Sequence, residues 1–193
     1  TPLVVLPPRL LRDKGVGEFV AAAALLRARG VAARFALVGD PDPNPSAIPA
    51  DLLARWAAEG TIEHWGHRDD MPAVLASSAI VCLPSYREGL PKALLEAGAA
   101  GRAIVTSDVP GCRDAVSGAS ALLVPPRTVE PLADALAALL ADPARRARMG
   151  AAGRALAEAQ FGVEAIAGQT VALYERLLAR AAAAGRLATD HYT

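Results

Sequence analysis

The sequence lacks several features that would place it in other classes of protein. Its two cysteines, Cys82 in a predicted buried strand and Cys112 in a predicted loop, do not make a disulfide framework. No stretch reaches the roughly 18 consecutive apolar residues that a membrane helix needs, and nothing resembles a secretory signal peptide. Acidic and basic residues are equal in number, 20 of each, so the charge balance indicates neither a nucleic-acid surface nor a polybasic membrane anchor. We therefore expect a cytoplasmic protein that binds no nucleic acid.

Motifs for two nucleotide-binding classes and for a metal are also missing or poorly formed. Neither Gly-x-Gly-x-x-Gly nor Gly-x4-Gly-Lys-Ser/Thr occurs, which argues against a dinucleotide dehydrogenase and a P-loop NTPase. Asp40-Pro41-Asp42 imitates an Asp-x-Asp metal motif, but the intervening proline and the proline-rich continuation fit a loop better. No His or Cys lies near these two acids in sequence. We expect no metal and no other cofactor.

Short apolar runs alternate with helical patterns along most of the chain. The runs predict strands over residues 3–6, 35–38, 61–65, 80–83, 103–106 and 121–124, with helices over 16–29, 50–58, 71–77, 91–100, 131–140, 143–157 and 163–180. Fully apolar strands that alternate with helices are typical of parallel sheets covered on both faces. The sequence predicts an α/β fold: a Rossmann-like doubly wound parallel sheet of about six strands with helices on both faces and a helical C-terminal extension. Residues 1–180 are expected to form one domain, and 181–193 a tail.

The most informative stretch is Val81–Gly98, which reads as a buried strand, a polar turn and a helix. The amides of Gly89 and Leu90 are predicted to be unpaired donors near the helix start, where the helix dipole favours an anion and a missing Cβ lets it approach. Glu88 lies in the turn and Glu96 about two helical turns further on. A diphosphate bound here would have a polyhydroxylated group on each side.

Glu88 and Glu96 stand inside Pro-Ser-x-x-Glu-Gly-Leu-Pro-x-x-Leu-Leu-Glu-Ala, which resembles the signature of the retaining GT-B glycosyltransferases often called family 4. The resemblance covers Arg9 to about Leu178. It implies the C-terminal, donor-binding half of a bacterial enzyme of polysaccharide or lipopolysaccharide synthesis. The full enzyme would transfer a sugar, with retention, from a nucleotide diphosphate sugar to an acceptor hydroxyl. UDP is the nucleotide expected by analogy.

The resemblance implies three catalytic residues. Glu88 would contact the donor sugar, and Arg9 and Lys14 match the family's Gly-Arg-Leu…Lys-Gly element, whose basic residues contact the diphosphate; here Pro8 replaces the usual glycine. The alternatives are that Arg9 and Lys14 are solvated surface charges, and that Glu88 only places a negative charge beside the helix dipole. The chain has only two lysines, however, and both Lys14 and Lys92 fall beside the expected phosphate loops.

The remaining candidate residues are expected to hold the nucleoside and the diphosphate. Glu96 has apolar neighbours, so it needs a hydrogen-bond donor, which vicinal ribose hydroxyls would supply; alternatively it is an exposed helix residue. His67 belongs to a segment that resembles the family's nucleobase loop, where it would form a wall rather than act as a base. The candidate donor-binding residues are Glu96, Gly89, Leu90, Pro91, His67, Trp65, Gly39, Asp40 and Lys92. Of the residues around them, Asp69 or Asp70 is expected to be a helix N-cap, and Gly111 to serve backbone geometry.

The chain begins with Thr1 and reaches a strand by Leu3, which favours a domain taken from a longer protein. On this reading the N-terminal acceptor domain is absent. The full-length enzyme would act on a glycan or lipid-linked acceptor through that domain, with possible peripheral association at the inner face of a membrane. Two alternatives stay open: a GT-B sugar-nucleotide epimerase relative, and a nucleotide-binding regulatory module without transfer activity.

Overall fold

The computed structural model describes residues 1–7 and 9–189, with side chains described to residue 183. The strands of this part of the chain are β1 (Leu3–Leu6), β2 (Arg34–Leu37), β3 (Glu63–His64), β4 (Ile80–Leu83), β5 (Ala103–Ser107) and β6 (Ala121–Val124). Its α-helices are α1 (Val16–Ala28), α2 (Ala50–Ala58), α3 (Met71–Ser77), α4 (Lys92–Ala99), α5 (Pro110–Ala115), α6 (Val129–Ala141), α7 (Pro143–Gln160) and α8 (Val163–Thr189). One 3-10 turn, Arg12–Lys14, precedes α1.

The six strands form one parallel sheet in the order β3-β2-β1-β4-β5-β6. The chain starts in the middle, moves outward to β3, and returns to place β4 on the other side of β1. The seam between β1 and β4 is aligned by the pairs Val4↔Ile80 and Val5↔Val81. The predicted doubly wound sheet of about six strands is confirmed.

Side chains alternate between the two faces of the sheet, and each face has its own apolar core. Val4 and Leu6 point into a core shared with α1, α2 and α6, where Phe19 of α1 meets Phe35 edge to face at a centroid distance of 5.8 Å. Leu3 and Val5 point into a second core shared with α3, α4 and α5. Helices therefore cover both faces, as the fully apolar strands predict.

Several element boundaries differ from those that the sequence predicts. Residues 110–115 form the short helix α5, so the prediction of a loop at Cys112 was wrong. β3 has only two residues, although the amide of Trp65 still donates to Leu37 O at 2.9 Å. α4 begins one residue after Pro91, and α8 continues to Thr189, beyond the expected end at residue 180.

The chain divides into two compact units, Thr1–Leu156 and Ala157–Thr193. The first contains the sheet and all the candidate site residues. The second contains the end of α7 and the whole of α8, along which several large apolar side chains are exposed: Val163, Ile166, Val171, Leu173, Tyr174, Leu177 and Leu178. Within the described residues, no helix combines the length and the apolar character that crossing a bilayer requires.

Candidate functional site

An ion pair lies beyond the point where the strand order reverses. Lys14 follows β1 and Glu88 follows β4, and Lys14 Nζ donates to Glu88 Oε1 at 2.7 Å. Both side chains are largely shielded from water, with 18% and 11% of their surfaces exposed. In open parallel sheets the crevice at this reversal is where ligands bind. The structure thus brings together two residues that are 74 positions apart in sequence.

Two backbone contacts hold the loop after β1 against the end of β4. Gly15 adopts φ +72°, and a Cβ built on it would lie 2.2 Å from the carbonyl oxygen of Pro84, so only glycine fits there. The amide of Tyr86 donates to the carbonyl of Asp13 at 2.8 Å. Lys14 and Glu88 are therefore carried by loops that are fixed to each other.

The turn that precedes α4 offers open backbone donors. A Cβ at Gly89 would meet no atom within 4 Å. Leu90 is half exposed, and no group in the described part of the chain accepts a hydrogen bond from the amides of Gly89 and Leu90. Pro91 is the N-cap residue of α4 and is buried. Because both residues are exposed and their amides have no acceptor among the described residues, these amides could bind an anion.

The start of α5 packs directly under this turn. A Cβ on Gly111 would lie 2.1 Å from Gly89 O and 2.3 Å from Glu88 O, so the glycine permits the close approach of two backbones. The neighbouring Cys112 is fully buried. Burial raises the pKa of its thiol; Thr106 lowers it, Glu88 raises it and Lys14 lowers it, each to a smaller extent. Gly111 thus has the expected backbone role, because it lets α5 approach the turn that carries Glu88.

Arg9 is paired with an acid on a different loop. Its Nε and Nη2 both donate to Asp42 Oδ2 at 3.2 Å, and 60% of the Arg9 side chain is exposed. Hydrogen bonds from the amide of Asn44 and then from Arg9 hold the pKa of Asp42 below its usual value. Arg9 itself has φ +72°, an uncommon conformation for a residue with a side chain, while Pro8 lies outside the described residues.

Glu96 forms an ion pair with Lys92, although its apolar sequence neighbours gave no indication of a partner within the protein. Lys92, one helical turn earlier, places Nζ 3.3 Å from Glu96 Oε1, and 41% of the Glu96 side chain is exposed. The apolar environment that we expected around this carboxylate is therefore incomplete. Glu96 lies at one side of a pocket of about 430 Å³ between α3 and α4, whose other lining residues are apolar: Met71, Pro72, Leu75, Ala76, Ala99 and Ala100.

The loops after β2 and β3 are joined to each other by hydrogen bonds. Gly39 donates its amide to Gly66 O at 2.8 Å, and Asp40 Oδ1 accepts from the amide of His67 at 2.9 Å. The Asp40 carboxylate thus has a structural partner, and the His67 amide is occupied. Among the described residues no group of three His, Cys, Asp or Glu side chains could hold a metal ion.

The side chains around the predicted nucleobase loop are paired locally. Trp65 donates its indole N–H to Glu63 at 2.8 Å, and the ring of His67 lies 2.9 Å from Asp69 Oδ1. Asp70 occupies the N-cap position of α3, but its carboxylate bonds Arg68 instead of capping the helix. Only the position of that predicted cap is confirmed.

The sequence analysis missed a group of side chains around Tyr86. The phenol of this half-buried residue donates to Glu18 Oε1 at 2.6 Å, and Arg127 Cζ lies 4.5 Å from the centroid of its ring. Burial, followed by the bond to Glu18, raises the pKa of Tyr86 to about 12. Tyr86 lies inside the signature and could have been singled out, whereas nothing in the residue type of Arg127 indicates its φ of +60°.

Comparison with known proteins gives consistent results. Residues 1–142 match the family described as glycosyl transferases group 1. The N,N'-diacetylbacillosaminyl-diphospho-undecaprenol alpha-1,3-N-acetylgalactosaminyltransferase of Campylobacter jejuni is 36% identical over 179 residues, which are 92% of this chain and 45% of that protein. The MMP alpha-(1->4)-mannosyltransferase of Mycolicibacterium hassiacum is 35% identical over 176 residues, 88% of this chain and 42% of that protein.

Solved structures agree with these relatives. Sucrose-phosphate synthase from Thermosynechococcus elongatus superposes with a TM-score of 0.79 at 32% identity, over 93% of this chain and 46% of that one. Anabaena HepE, crystallised with UDP-glucose, has the same fold, with a TM-score of 0.76 at 22% identity over 90% of this chain and 48% of that one. The chain spans about half the length of the curated relatives it matches. From the family match and these relatives together, the chain belongs to the glycosyl transferases group 1 family and has the Rossmann-like fold of one half of a GT-B enzyme.

Proposed function

We propose that this chain is the donor-binding domain of a retaining glycosyltransferase and that its ligand is a UDP-sugar. The observation that carries the proposal is the Lys14–Glu88 pair, which lies at the reversal of strand order beside the open amides of Gly89 and Leu90. The pair supplies a cation for phosphate and a carboxylate for sugar hydroxyls. HepE, which shares the fold, was crystallised with UDP-glucose.

The diphosphate would be bound by a cation and by backbone donors. In the free protein Lys14 bonds Glu88; when a diphosphate enters, the ammonium turns to the phosphate oxygens and the carboxylate is released for the donor sugar. Arg9 joins the site if its exposed guanidinium leaves Asp42, which costs little because surface ion pairs contribute about 0–1 kcal/mol. With the amides of Gly89 and Leu90, these cations would stabilise negative charge on the leaving diphosphate without a metal.

The nucleoside would extend from Pro91 and Lys92 towards α3. Glu96 is proposed to accept hydrogen bonds from the ribose hydroxyls, exchanging Lys92 for them as partner. The joined loops that contain Gly39, Asp40, Trp65 and His67 would form the wall for the base. His67 Nε2 already has Asp69 as a neighbour, which supports a wall rather than a general base.

Transfer itself would need more protein than this chain contains. The relatives are about twice as long, so we propose that the acceptor, a glycan or a lipid-linked glycan, binds a separate acceptor domain and that the full enzyme works in the cytoplasm, at the inner face of the membrane. The name of the Campylobacter jejuni relative includes a diphospho-undecaprenol acceptor, which supports this acceptor class. Binding without turnover is expected of the present chain, because closure of two domains supplies proximity and excludes water.

Isothermal titration calorimetry with UDP and with uridine tests the proposal. We expect UDP to bind with micromolar to millimolar affinity, unchanged by a chelator. Lys14→Ala should weaken UDP by about ten- to a hundredfold and uridine hardly at all, because charge-assisted contacts contribute about 1.5–3 kcal/mol. Arg9→Ala should have the same selective effect, and Arg29→Ala, which removes an arginine paired on the opposite part of the domain with Asp134, is the control.

Four results would contradict the proposal. Equal losses for uridine and UDP would remove Lys14 and Arg9 from a phosphate site. A requirement for magnesium would contradict a metal-free site. Rapid transfer by this chain alone would show that no separate acceptor domain is needed, whereas UDP binding that persists without transfer in a longer chain would favour the nucleotide-binding regulatory module.

A further inference from the structure

The Lys14–Glu88 pair joins two loops, and its geometry depends on what fixes those loops. Lys14 is the last residue of the 3-10 turn, and Glu88 lies in an irregular turn before α4. A lysine has four rotatable side-chain bonds, so holding its ammonium 2.7 Å from a carboxylate is entropically costly unless the backbones are fixed. Tyr86, two residues before Glu88 in the same loop, contacts the loop that contains Lys14.

Tyr86 is attached to its surroundings in three ways. Its amide donates to the carbonyl of Asp13, the residue just before Lys14. Its phenol donates to Glu18, at the start of α1, at 2.6 Å. Its ring lies under the guanidinium of Arg127, with Cζ 4.5 Å from the centroid, within the range of a cation–π interaction. Tyr86 thus connects the loops after β1, β4 and β6.

The contact between Arg127 and Tyr86 requires an unfavourable backbone conformation at Arg127. Its φ of +60° is unfavourable for a residue with a Cβ, and glycine would adopt it freely. The hydroxyl of Thr128 donates to Pro125 O at 2.7 Å across the same turn, which keeps the loop closed. The backbone of Arg127 is therefore less stable than that of a glycine would be at this position. In return, the arginine places its guanidinium over the ring of Tyr86.

We infer that Tyr86, held between Glu18 and Arg127, is a positioning residue that fixes the loops of Lys14 and Glu88. The two side chains then face each other in the free protein and face the diphosphate and the sugar in the complex. The inference deepens the proposed function, since this pair is the one proposed to meet the diphosphate and the sugar. It also makes the loop after β6, which the signature does not include, part of the support of the site. Tyr86 and Arg127 act through Lys14 and Glu88 and need not touch the ligand.

The presence of only two lysines in the chain allows a test that needs no nucleotide. Protein labelled with ¹³C at lysine Cε gives two side-chain signals, from Lys14 and Lys92. Glu88→Gln defines the signal of Lys14 without its ion-pair partner. We expect Tyr86→Leu and Arg127→Gly to move the Lys14 signal towards that position and to leave the Lys92 signal in place. Arg127→Lys, which retains a cation, should restore most of the wild-type shift.

Thermal unfolding and nucleotide binding separate positioning from general stability. Arg127→Gly relieves the backbone at φ +60°, so its melting temperature should be unchanged or higher. Its UDP affinity should nevertheless fall by about two- to fivefold, and that of Tyr86→Leu by about tenfold, while uridine affinity stays within about twofold. Arg29→Gly, which breaks another exposed arginine contact, should change neither the Lys14 signal nor the affinity.

The outcomes distinguish this inference from the function on which it rests. If Glu88→Gln moves the Lys14 signal but Tyr86→Phe, Tyr86→Leu and Arg127→Gly do not, the positioning role is refuted even if UDP binds. If the wild-type chain binds neither UDP nor another nucleoside diphosphate, the proposed function fails, and the lysine signals still decide the positioning role. If Tyr86→Leu does not fold, Tyr86→Phe and Arg127→Gly decide it.

Discussion

The close approach of α5 to the signature turn makes Gly111→Ala an informative substitution. The added Cβ would lie 2.1 Å from Gly89 O and 2.3 Å from Glu88 O, whereas real Cβ atoms essentially never come within 3.0 Å of such neighbours. The turn or the helix must therefore move by about 1 Å, and both neighbours are backbone atoms that no side-chain rotation can relieve. Overpacking of this kind typically costs about 1–3 kcal/mol of unfolding free energy.

The same displacement should weaken ligand binding, because it moves the amide of Gly89 and the carboxylate of Glu88 together. We expect Gly111→Ala to lower UDP affinity at least about tenfold, since a shift of about 1 Å exceeds the range of about 0.5 Å over which N–H···O distances vary. Urea unfolding measures the stability and calorimetry the affinity. Gly118→Ala is the matched control, because a Cβ there meets nothing within 4 Å. If Gly111→Ala is as stable as Gly118→Ala and binds UDP as well, the packing argument is refuted.

Three further predictions concern single groups. Glu96→Gln should weaken UDP by about three- to tenfold but hardly affect 2′,3′-dideoxy-UDP, as calorimetry of the four combinations will show; equal losses would mean that the carboxylate does not contact the ribose. Burial raises the pKa of the Cys82 and Cys112 thiols, so neither should react with a thiol reagent at neutral pH until urea unfolds the chain, and a fast-reacting thiol in the native protein would contradict their burial. The fold favours the neutral phenol of Tyr86, whose pKa of about 12, raised by burial and then by Glu18, exceeds the value of about 10 for an unfolded tyrosine. Its contribution to stability is therefore complete below pH of about 10 and is lost as pH rises through about 12, which Tyr86→Phe should abolish in an alkaline unfolding series.

The sheet could be predicted from sequence because its strands are buried on both sides. Residues 3–6 and 80–83 are apolar at every position, and both strands have those bounds in the structure. Because the loops that follow β1 and β4 lie at the same edge of a parallel sheet, the sequence places Lys14 and Glu88 at that edge, and the structure shows them in contact. The helix predicted over residues 16–29 is followed by Gly30, which has φ +74° immediately after the C-cap residue Arg29.

What could not be predicted depends on contacts between segments that are distant in sequence. α5 has only six residues and contains Gly111, a poor helix former, so it depends on packing: Cys112 lies in the core cluster with Ile104 of β5. The pairing of Arg9 with Asp42 depends on the course of two loops, which residue type does not determine. The conformation of Arg127 belongs to the same class, because a positive φ at a residue other than glycine has no sequence signal.

The seam between β1 and β4 gives a bound ligand a second effect. The segment before β4 builds one side of the sheet and the segment after it builds the other, so a molecule held by Lys14 on one side and Glu88 on the other is a non-covalent crosslink between them. Ligand at a hundred times its dissociation constant would add about 2.7 kcal/mol to the free energy of unfolding. Cellular proteases attack the opened chain, so the lifetime of this protein should rise and fall with the supply of the proposed nucleotide-sugar ligand.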